Sequence, residues 1–149
     1  MITKQVKHLL QQKRKDLISV SPEMLVYDAI KLMVEKNLGA LMVLKDGNFE
    51  GMFTERDYTR KVIVKGRSSK EITVGEIMES KPVTITAEDS ITDCMGKMTG
   101  GVRYLPVLEK KLLVGLVSIG DLVKFIIEEQ KYDANDKLMG IIQYLYKYF

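Results

Sequence analysis

Two seven-residue segments carry the residue types from which a charged sugar derivative could be held. Residues 51–57 read Gly-Met-Phe-Thr-Glu-Arg-Asp and residues 115–121 read Gly-Leu-Val-Ser-Ile-Gly-Asp, so one Gly, apolar, apolar, hydroxyl, two variable, Asp pattern occurs twice, 64 positions apart. The apolar pair reads as the end of a strand and the hydroxyl residue as the start of a helix. Such a junction presents backbone N–H groups and the positive end of the helix dipole to an anion, so phosphate suits it. Thr54 and Ser118 can donate a hydroxyl hydrogen bond to phosphate. Asp57 and Asp121, three residues on and accepting only, suit the two hydroxyls of a ribose. One charge-assisted bond of this kind contributes roughly 1.5–3 kcal/mol, and the glycines permit close backbone approach. The same spacing is also close to a capping box, in which the acid reaches back to its own backbone N–H. A single copy favours capping, whereas the doubled pattern with its preceding glycine favours descent from a ligand site.

The elements that must position these residues repeat as well. Leu41, Val43 and Leu44 align with Leu105, Val107 and Leu108, and further upstream the offset becomes 65, pairing Ser19-Val20-Ser21 with Thr84-Ile85-Thr86. A period of this kind is read first because a missed repeat misreads the fold. In the first copy, 17–20 is extended, and Ser21-Pro22 opens a helix carrying Val26, Ala29, Ile30, Met33 and Val34 that ends at 37–39. Strands at 40–44 and 49–53 flank Lys45-Asp46-Gly47-Asn48, whose Asp-Gly supplies the positive-φ positions of a tight hairpin. A helix runs from Thr54 to about Val64. The second copy gives a strand at 83–85, a helix with Ile91, Cys94, Met95 and Met98, strands at 104–108 and 112–117, and a helix from Ser118. Glu109-Lys110-Lys111 replaces the Asp-Gly turn, which affects hairpin geometry more than ligand contact.

Outside the repeats, Thr3 can cap a helix through about Arg14 with Val6, Leu9, Leu10 and Lys13 on one stripe, covering a sheet edge. Residues 65–81 read as a polar linker holding one or two helical turns near Val74–Met78. The tail from Asp133 sets Leu138, Ile141, Ile142, Leu145, Tyr148 and Phe149 along one helical stripe. That stripe either folds back on its own domain or crosses to a second subunit, and its aromatic content leans to the second.

Composition narrows the function class. A chain of 149 residues suits one compact domain with a core that needs no disulfide or metal. One cysteine, no apolar leader and no run of bilayer length point to a cytoplasmic protein without a membrane anchor. The net charge of +3 is dispersed except at Arg60, Lys61, Lys65, Arg67 and Lys70, so nucleic-acid binding is not expected. Those five read first as a solvated linker face, with phosphate steering as the minority reading. His8, the single histidine, lies on a surface helix and Cys94 on an apolar helical face, so neither reads as catalytic. No Cys/His cluster has metal-ligand spacing and no glycine-rich nucleotide loop appears, so neither an enzyme nor a required cofactor is expected. The methionines read as gap-filling core residues.

Two strand-helix-strand-strand-helix units, each ending in Gly-apolar-apolar-(Thr/Ser)-x-x-Asp, resemble the cystathionine β-synthase (CBS) domain pair, or Bateman module. Thr-Glu-Arg-Asp-Tyr at 54–58 and Val-Ser-Ile-Gly-Asp-Leu at 117–122, with Gly66-Arg67-Ser68-Ser69 between them, resemble small stand-alone bacterial members. The resemblance implies an α/β (α+β) fold of tandem β-α-β-β-α repeats about a pseudo-twofold axis, with flanking N- and C-terminal helices. Within one module over 1–149, the repeats would be 17–64 and 82–128, with a linker at 65–81 and a C-terminal helix at 129–149. It further implies clefts between the repeats that take adenine-containing ligands such as AMP, ADP, ATP, NAD(H) or S-adenosylmethionine, and a homodimer regulating an unidentified protein. Adenine would lie against Ser19, Val20, Thr84 and Ile85 and against Ala40, Met42, Tyr104 and Pro106, with Arg103 on phosphate. The copies differ chemically. Arg56 stands where the second motif has Gly120, and Arg103-Tyr104 where the first copy has Gly39-Ala40, so two unequal sites are expected. The expected function is a non-enzymatic sensor of adenine nucleotides; the alternative is an interaction scaffold with vestigial sites.

Overall fold

The computed structural model describes residues 3–13, 17–129, 141–143 and 145–147. In order the chain forms α1 (Val6–Gln12), β1 (Ser19–Val20), α2 (Val26–Lys36), β2 (Ala40–Lys45), β3 (Asn48–Thr54) and α3 (Glu55–Tyr58). A π-helical turn (Thr59–Ile63) follows, then α4 (Val74–Ile77), α5 (Ile91–Lys97), β4 (Tyr104–Glu109), β5 (Leu112–Ser118) and α6 (Ile119–Glu129). These fall into two compact units, one holding 17–82 with 110–113, the other holding the N-terminal segment, 83–109 and the described residues from 114 onward.

In the first unit β1 pairs parallel with β2, and β2 antiparallel with β3, in the order β1-β2-β3. The hairpin turns at Asp46 (φ 51°) and Gly47 (φ 80°), the positive-φ pair that Asp-Gly predicts. Leu41, Val43 and Phe53 join Val26, Ala29, Met33 and Val62 in the core, while Ala40 and Met42, alternating with them, lie buried on the other face of the sheet. The second helix starts at Val26, not at Ser21-Pro22, because the carbonyls of Pro22 and Met24 accept from Gly75 and Val74, each at 2.8 Å, and so cannot close a first helical turn. Val34 is 77% exposed and leaves the apolar stripe. The helix does end where expected, at Asn37 in the left-handed region (φ 54°).

The second unit holds the β4-β5 hairpin. The strand expected at 83–85 reduces to a single parallel bridge from Ile85 to Val107, with Ile85 N–H to Pro106 O at 3.0 Å and Leu108 N–H to Ile85 O at 2.9 Å. Val83 is exposed and the Thr84 carbonyl accepts from Lys97 Nζ instead, so pairing stops at one residue. The core joins Ile85, Ile91, Cys94, Met98, Leu105, Val107, Val117, Leu122, Phe125 and Ile126 to Val6 and Leu9 of α1. Ile141 and partly buried Leu145 pack into it too, so these two residues of the tail stripe fold back on their own unit, while Ile142 of the same stripe is exposed. Leu138, Tyr148 and Phe149 lie outside the described residues.

Each repeat receives a short helix from the segment that precedes the other repeat. Gln5 bridges Ser90 in the second unit, and Thr73 bridges Leu25 in the first. The incoming residues correspond at an offset of 68, so that Val6, Leu9 and Lys13 match Val74, Ile77 and Lys81. Both helices open with a capping box, Gln5 with His8 and Thr73 with Glu76. The cap of α1 is therefore Gln5 and not Thr3. Lys4 still lies in extended chain, where its carbonyl accepts from Ile91 N–H at 3.1 Å.

Candidate functional site

The repeated motif forms, in both copies, a strand running straight into a helix. Thr54 ends β3 and its hydroxyl accepts from Asp57 N–H at 3.2 Å, while Asp57 Oδ2 accepts from Thr54 N–H at 2.9 Å and from the Thr54 hydroxyl at 3.0 Å. Ser118 ends β5 in the same way: its Oγ accepts from Asp121 N–H at 3.0 Å and Asp121 Oδ2 accepts from Ser118 N–H at 2.9 Å. The residue after each hydroxyl donates to the first strand of its hairpin, Glu55 N–H to Gly39 O at 3.1 Å and Ile119 N–H to Arg103 O at 2.9 Å. Three backbone N–H groups at each junction thus already have protein acceptors. The capping reading of the motif is realised in both copies, and the supply of open amides for an anion is smaller than the sequence implied.

What remains open differs between the copies. Asp57 Oδ1 meets Lys61 Nζ at 3.1 Å, one helical turn on, so both of its oxygens and the Thr54 hydroxyl proton are engaged. In the second copy Lys13 Nζ, from the end of α1, donates to Asp121 Oδ2 at 2.7 Å and to Leu116 O at 2.6 Å. Among the described residues, no hydrogen bond or ion pair falls on Asp121 Oδ1, leaving one acceptor at the junction, while the Ser118 side chain adds a further bond to the Asp121 carboxylate. Burial pushes the Asp121 carboxyl up, but the Lys13 ammonium and the Ser118 amide outweigh it and hold the group below its ordinary value. Ser118, Gly120 and Asp121 line a groove of about 640 Å³, with Leu9, Gln12 and Lys13 of α1 and Lys124 of α6 also around it.

The other sequence-selected residues divide by unit. Ser19 and Val20 lie beside Met42 and Val43 through the β1-β2 pairing, and Ala40 stands opposite Thr54. Ser19 and Arg56 are exposed, and Val20, Ala40 and Met42 are buried. In the second unit Ile85 adjoins Pro106, both buried, Tyr104 is half-buried and Arg103 is exposed. Each motif strand therefore pairs with the first strand of its own hairpin, whose other edge carries the opening segment of the same repeat.

The motif glycines serve the protein's own packing. A Cβ on Gly51 would lie 2.4 Å from the Glu79 carbonyl oxygen, because Met52 and Glu79 exchange backbone hydrogen bonds of 2.8 and 3.0 Å there. A Cβ on Gly115 would lie 2.8 Å from a Leu10 methyl of α1. What approaches these glycines in the structure is the incoming segment. Sequence reasoning missed Lys13 for the same reason: its match to Lys81 at an offset of 68 was the available signal, and it shows only when the flanking helices are counted as part of the repeat.

The groups outside the motifs are quiet. Burial pushes the Cys94 thiol up to about 12, which keeps it protonated. His8 Nδ1 accepts the Gln5 N–H at 3.0 Å as a cap. Of the basic linker residues, Arg67 pairs with Glu76 and Lys70 lies 4.8 Å from the Tyr27 ring centre. Among the described residues there is no cluster of potential metal ligands, and no helix is long and apolar enough to cross a membrane.

The sequence profile of the CBS domain matches residues 6–63 and again 74–128. The chain belongs to the CBS-domain family. Both matches begin at the incoming helices, at Val6 and Val74. A mitochondrial CBS domain-containing protein of Arabidopsis thaliana, CBSX3, is 46% identical over 124 residues, which cover 79% of this chain and 60% of that protein. The CBS domain-containing protein YhcV of Bacillus subtilis is 33% identical over 105 residues, covering 70% of this chain and 74% of that one. This CBS chain thus spans less than two thirds of the Arabidopsis relative's length. The solved structure of a protein with CBS domains from Burkholderia ambifaria MC40-6 is similar at a TM-score of 0.80 and 44% identity, covering 85% of this chain and 96% of that one. The mixed α/β fold of tandem CBS repeats is shared with these structures.

Proposed function

We propose that this CBS pair is a non-enzymatic regulatory module that binds an adenine nucleotide or dinucleotide at its strand-to-helix junctions, the second junction more tightly than the first. The observation that carries this reading is the unspent hydrogen-bonding capacity of the second copy. Asp121 Oδ1 takes no hydrogen bond or ion pair among the described residues, and Asp121 borders the 640 Å³ groove. A cap alone does not use that oxygen. An open carboxylate oxygen suits a ribose hydroxyl, and exposed Arg103 stands at the adjoining strand to supply charge for phosphate. The first copy, with Thr54 and Asp57 fully engaged, favours the alternative of a vestigial site at that position.

Binding conveys a signal only if the ligand prefers one arrangement of the chain over another. The apolar flank of α6 formed by Ile119, Val123 and Ile127, beside Leu145, encloses a groove of about 610 Å³ and is the surface assigned here to self-association as a homodimer. A regulated protein partner and a cytoplasmic setting complete the proposal. Thermal melting of the full chain with AMP, ADP, ATP, NAD(H) and S-adenosylmethionine in turn tests it. A ligand at a hundredfold over its dissociation constant adds about 2.7 kcal/mol, a rise of several degrees. Failure of every compound to move the transition would leave the scaffold reading.

A further inference from the structure

We infer that Lys13 is a latch: its ammonium holds the end of α1 on the carboxylate of the second motif, and nucleotide binding there displaces it and loosens α1. This deepens the nucleotide reading above and rests on it. Lys13 Nζ makes two short contacts, to Asp121 Oδ2 and to the Leu116 carbonyl, at the C-cap position of α1, and both partners are half-buried. A ribose diol is best held by both oxygens of one carboxylate. Oδ1 is open, but Oδ2 already accepts from Ser118 N–H and Lys13 together, so full engagement of the diol competes with the ammonium.

The first copy shows why the source of the lysine matters. Lys61 neutralises Asp57 from the same helix, four residues on, and among the described residues its only reach to the incoming helix is one hydrogen bond to the Ile77 carbonyl of α4 at 2.9 Å, so there the Asp57 contact itself stays within one helix. Lys13 comes from 108 residues away in sequence, and its release detaches a separate element. The hydrophobic anchors of α1 are Val6, Leu9 and partly buried Leu10, all before Gln12, and among the described residues the other side-chain tie beyond them is the 3.5 Å contact of Gln12 to Glu129. Loss of the Lys13 contact therefore loosens the end of α1 beyond Leu10, from which the chain continues toward β1. By linkage, whatever the nucleotide does to the docking of α1, the docking of α1 does equally to nucleotide affinity.

The test uses the full chain, titration calorimetry with AMP, ATP and NAD in turn, and backbone hydrogen exchange. Lys13→Met keeps the aliphatic stem and removes the charge; it should bind nucleotide at the second motif about tenfold more tightly, a change of about 1.4 kcal/mol. Lys13→Arg should restore the wild-type affinity. In the wild type, saturating nucleotide should speed exchange at residues 9–13 severalfold, and in Lys13→Met those amides should exchange fast with or without it. Equal dissociation constants for wild type and Lys13→Met, or slower exchange at 9–13 on binding, overturn the latch while leaving nucleotide binding intact. No binding by either protein overturns the nucleotide reading and the latch with it. If Lys13→Met does not fold, the wild-type exchange measurement still decides.

Discussion

Replacing Gly51 by alanine separates two readings of the motif glycine, because the structure fixes what the new methyl group would strike. The added Cβ would sit 2.4 Å from Glu79 O, 3.1 Å from the Met78 sulfur and 3.2 Å from the Glu79 carbonyl carbon. The first and last are backbone atoms held by the reciprocal Met52–Glu79 hydrogen bonds, so no side-chain rotation relieves the clash. Relief requires the 79 segment to withdraw, losing two hydrogen bonds at about 1–1.5 kcal/mol each, for a total of about 2–3 kcal/mol. Gly115→Ala meets only the Leu10 side chain, which can turn aside, and should cost about 1 kcal/mol. At roughly 2–4 °C per kcal/mol for a chain of this size, Gly51→Ala should melt about 4–12 °C below the wild type and Gly115→Ala about 2–4 °C below. Denaturant unfolding of all three proteins, with melting followed by circular dichroism, reads this directly. A Gly51→Ala protein as stable as the wild type but impaired in nucleotide binding would refute the packing argument and return the glycine to the ligand.

Other consequences follow from particular residues. Lys110 (φ 49°) and Lys111 (φ 70°) hold the left-handed conformations that Asp46 and Gly47 hold in the first hairpin, so Lys111→Gly should stabilise by about 0.5–1 kcal/mol; unchanged or lowered stability in urea would count against it. Cys94, kept as a thiol by burial, should react with a thiol reagent only at the rate of opening, and prompt stoichiometric labelling of native protein would contradict that assignment. Asp121 has a lowered folded value, so its contribution is fully present above the ordinary aspartate range near 3.9 and is lost as pH falls through that lower value. Melting temperature should therefore fall less steeply with acid in Asp121→Asn than in the wild type, and parallel curves below pH 4 would remove the Lys13–Asp121 pair from the account.

The fold was legible wherever the signal was local. The 64-residue motif period, the Asp46-Gly47 turn and the Asn37 helix stop each depend on residues within a few positions of one another, and each forms as read. The failures are non-local. Nothing near Ser21-Pro22 reveals that the carbonyls of Pro22 and Met24 are committed to Gly75 and Val74, and nothing near Thr3 reveals the bridge from Gln5 to Ser90. Sequence periodicity predicts one helix from Thr54 to about Val64, but the chain passes into a π turn at Thr59–Ile63, a change of hydrogen-bond register that side-chain periodicity does not encode. The second hairpin reaches positive φ through two lysines, a conformation their residue type disfavours. At the site, the hydroxyl and carboxylate positions were readable from spacing. Which of their atoms the protein already uses was not, since Lys61 is a neighbour in sequence and Lys13 is not.

Calorimetric titration of AMP, ATP and NAD into the wild type, Asp57→Asn, Asp121→Asn and the double variant bears most directly on whether these junctions hold a nucleotide as well as finish a helix. Asparagine keeps the capping geometry while removing the charge and one acceptor. Saturable heat in the wild type, lost mainly in Asp121→Asn, little changed in Asp57→Asn and absent in the double variant, is the predicted result. A double variant that titrates like the wild type, or a wild type that takes up none of the three compounds, would contradict it.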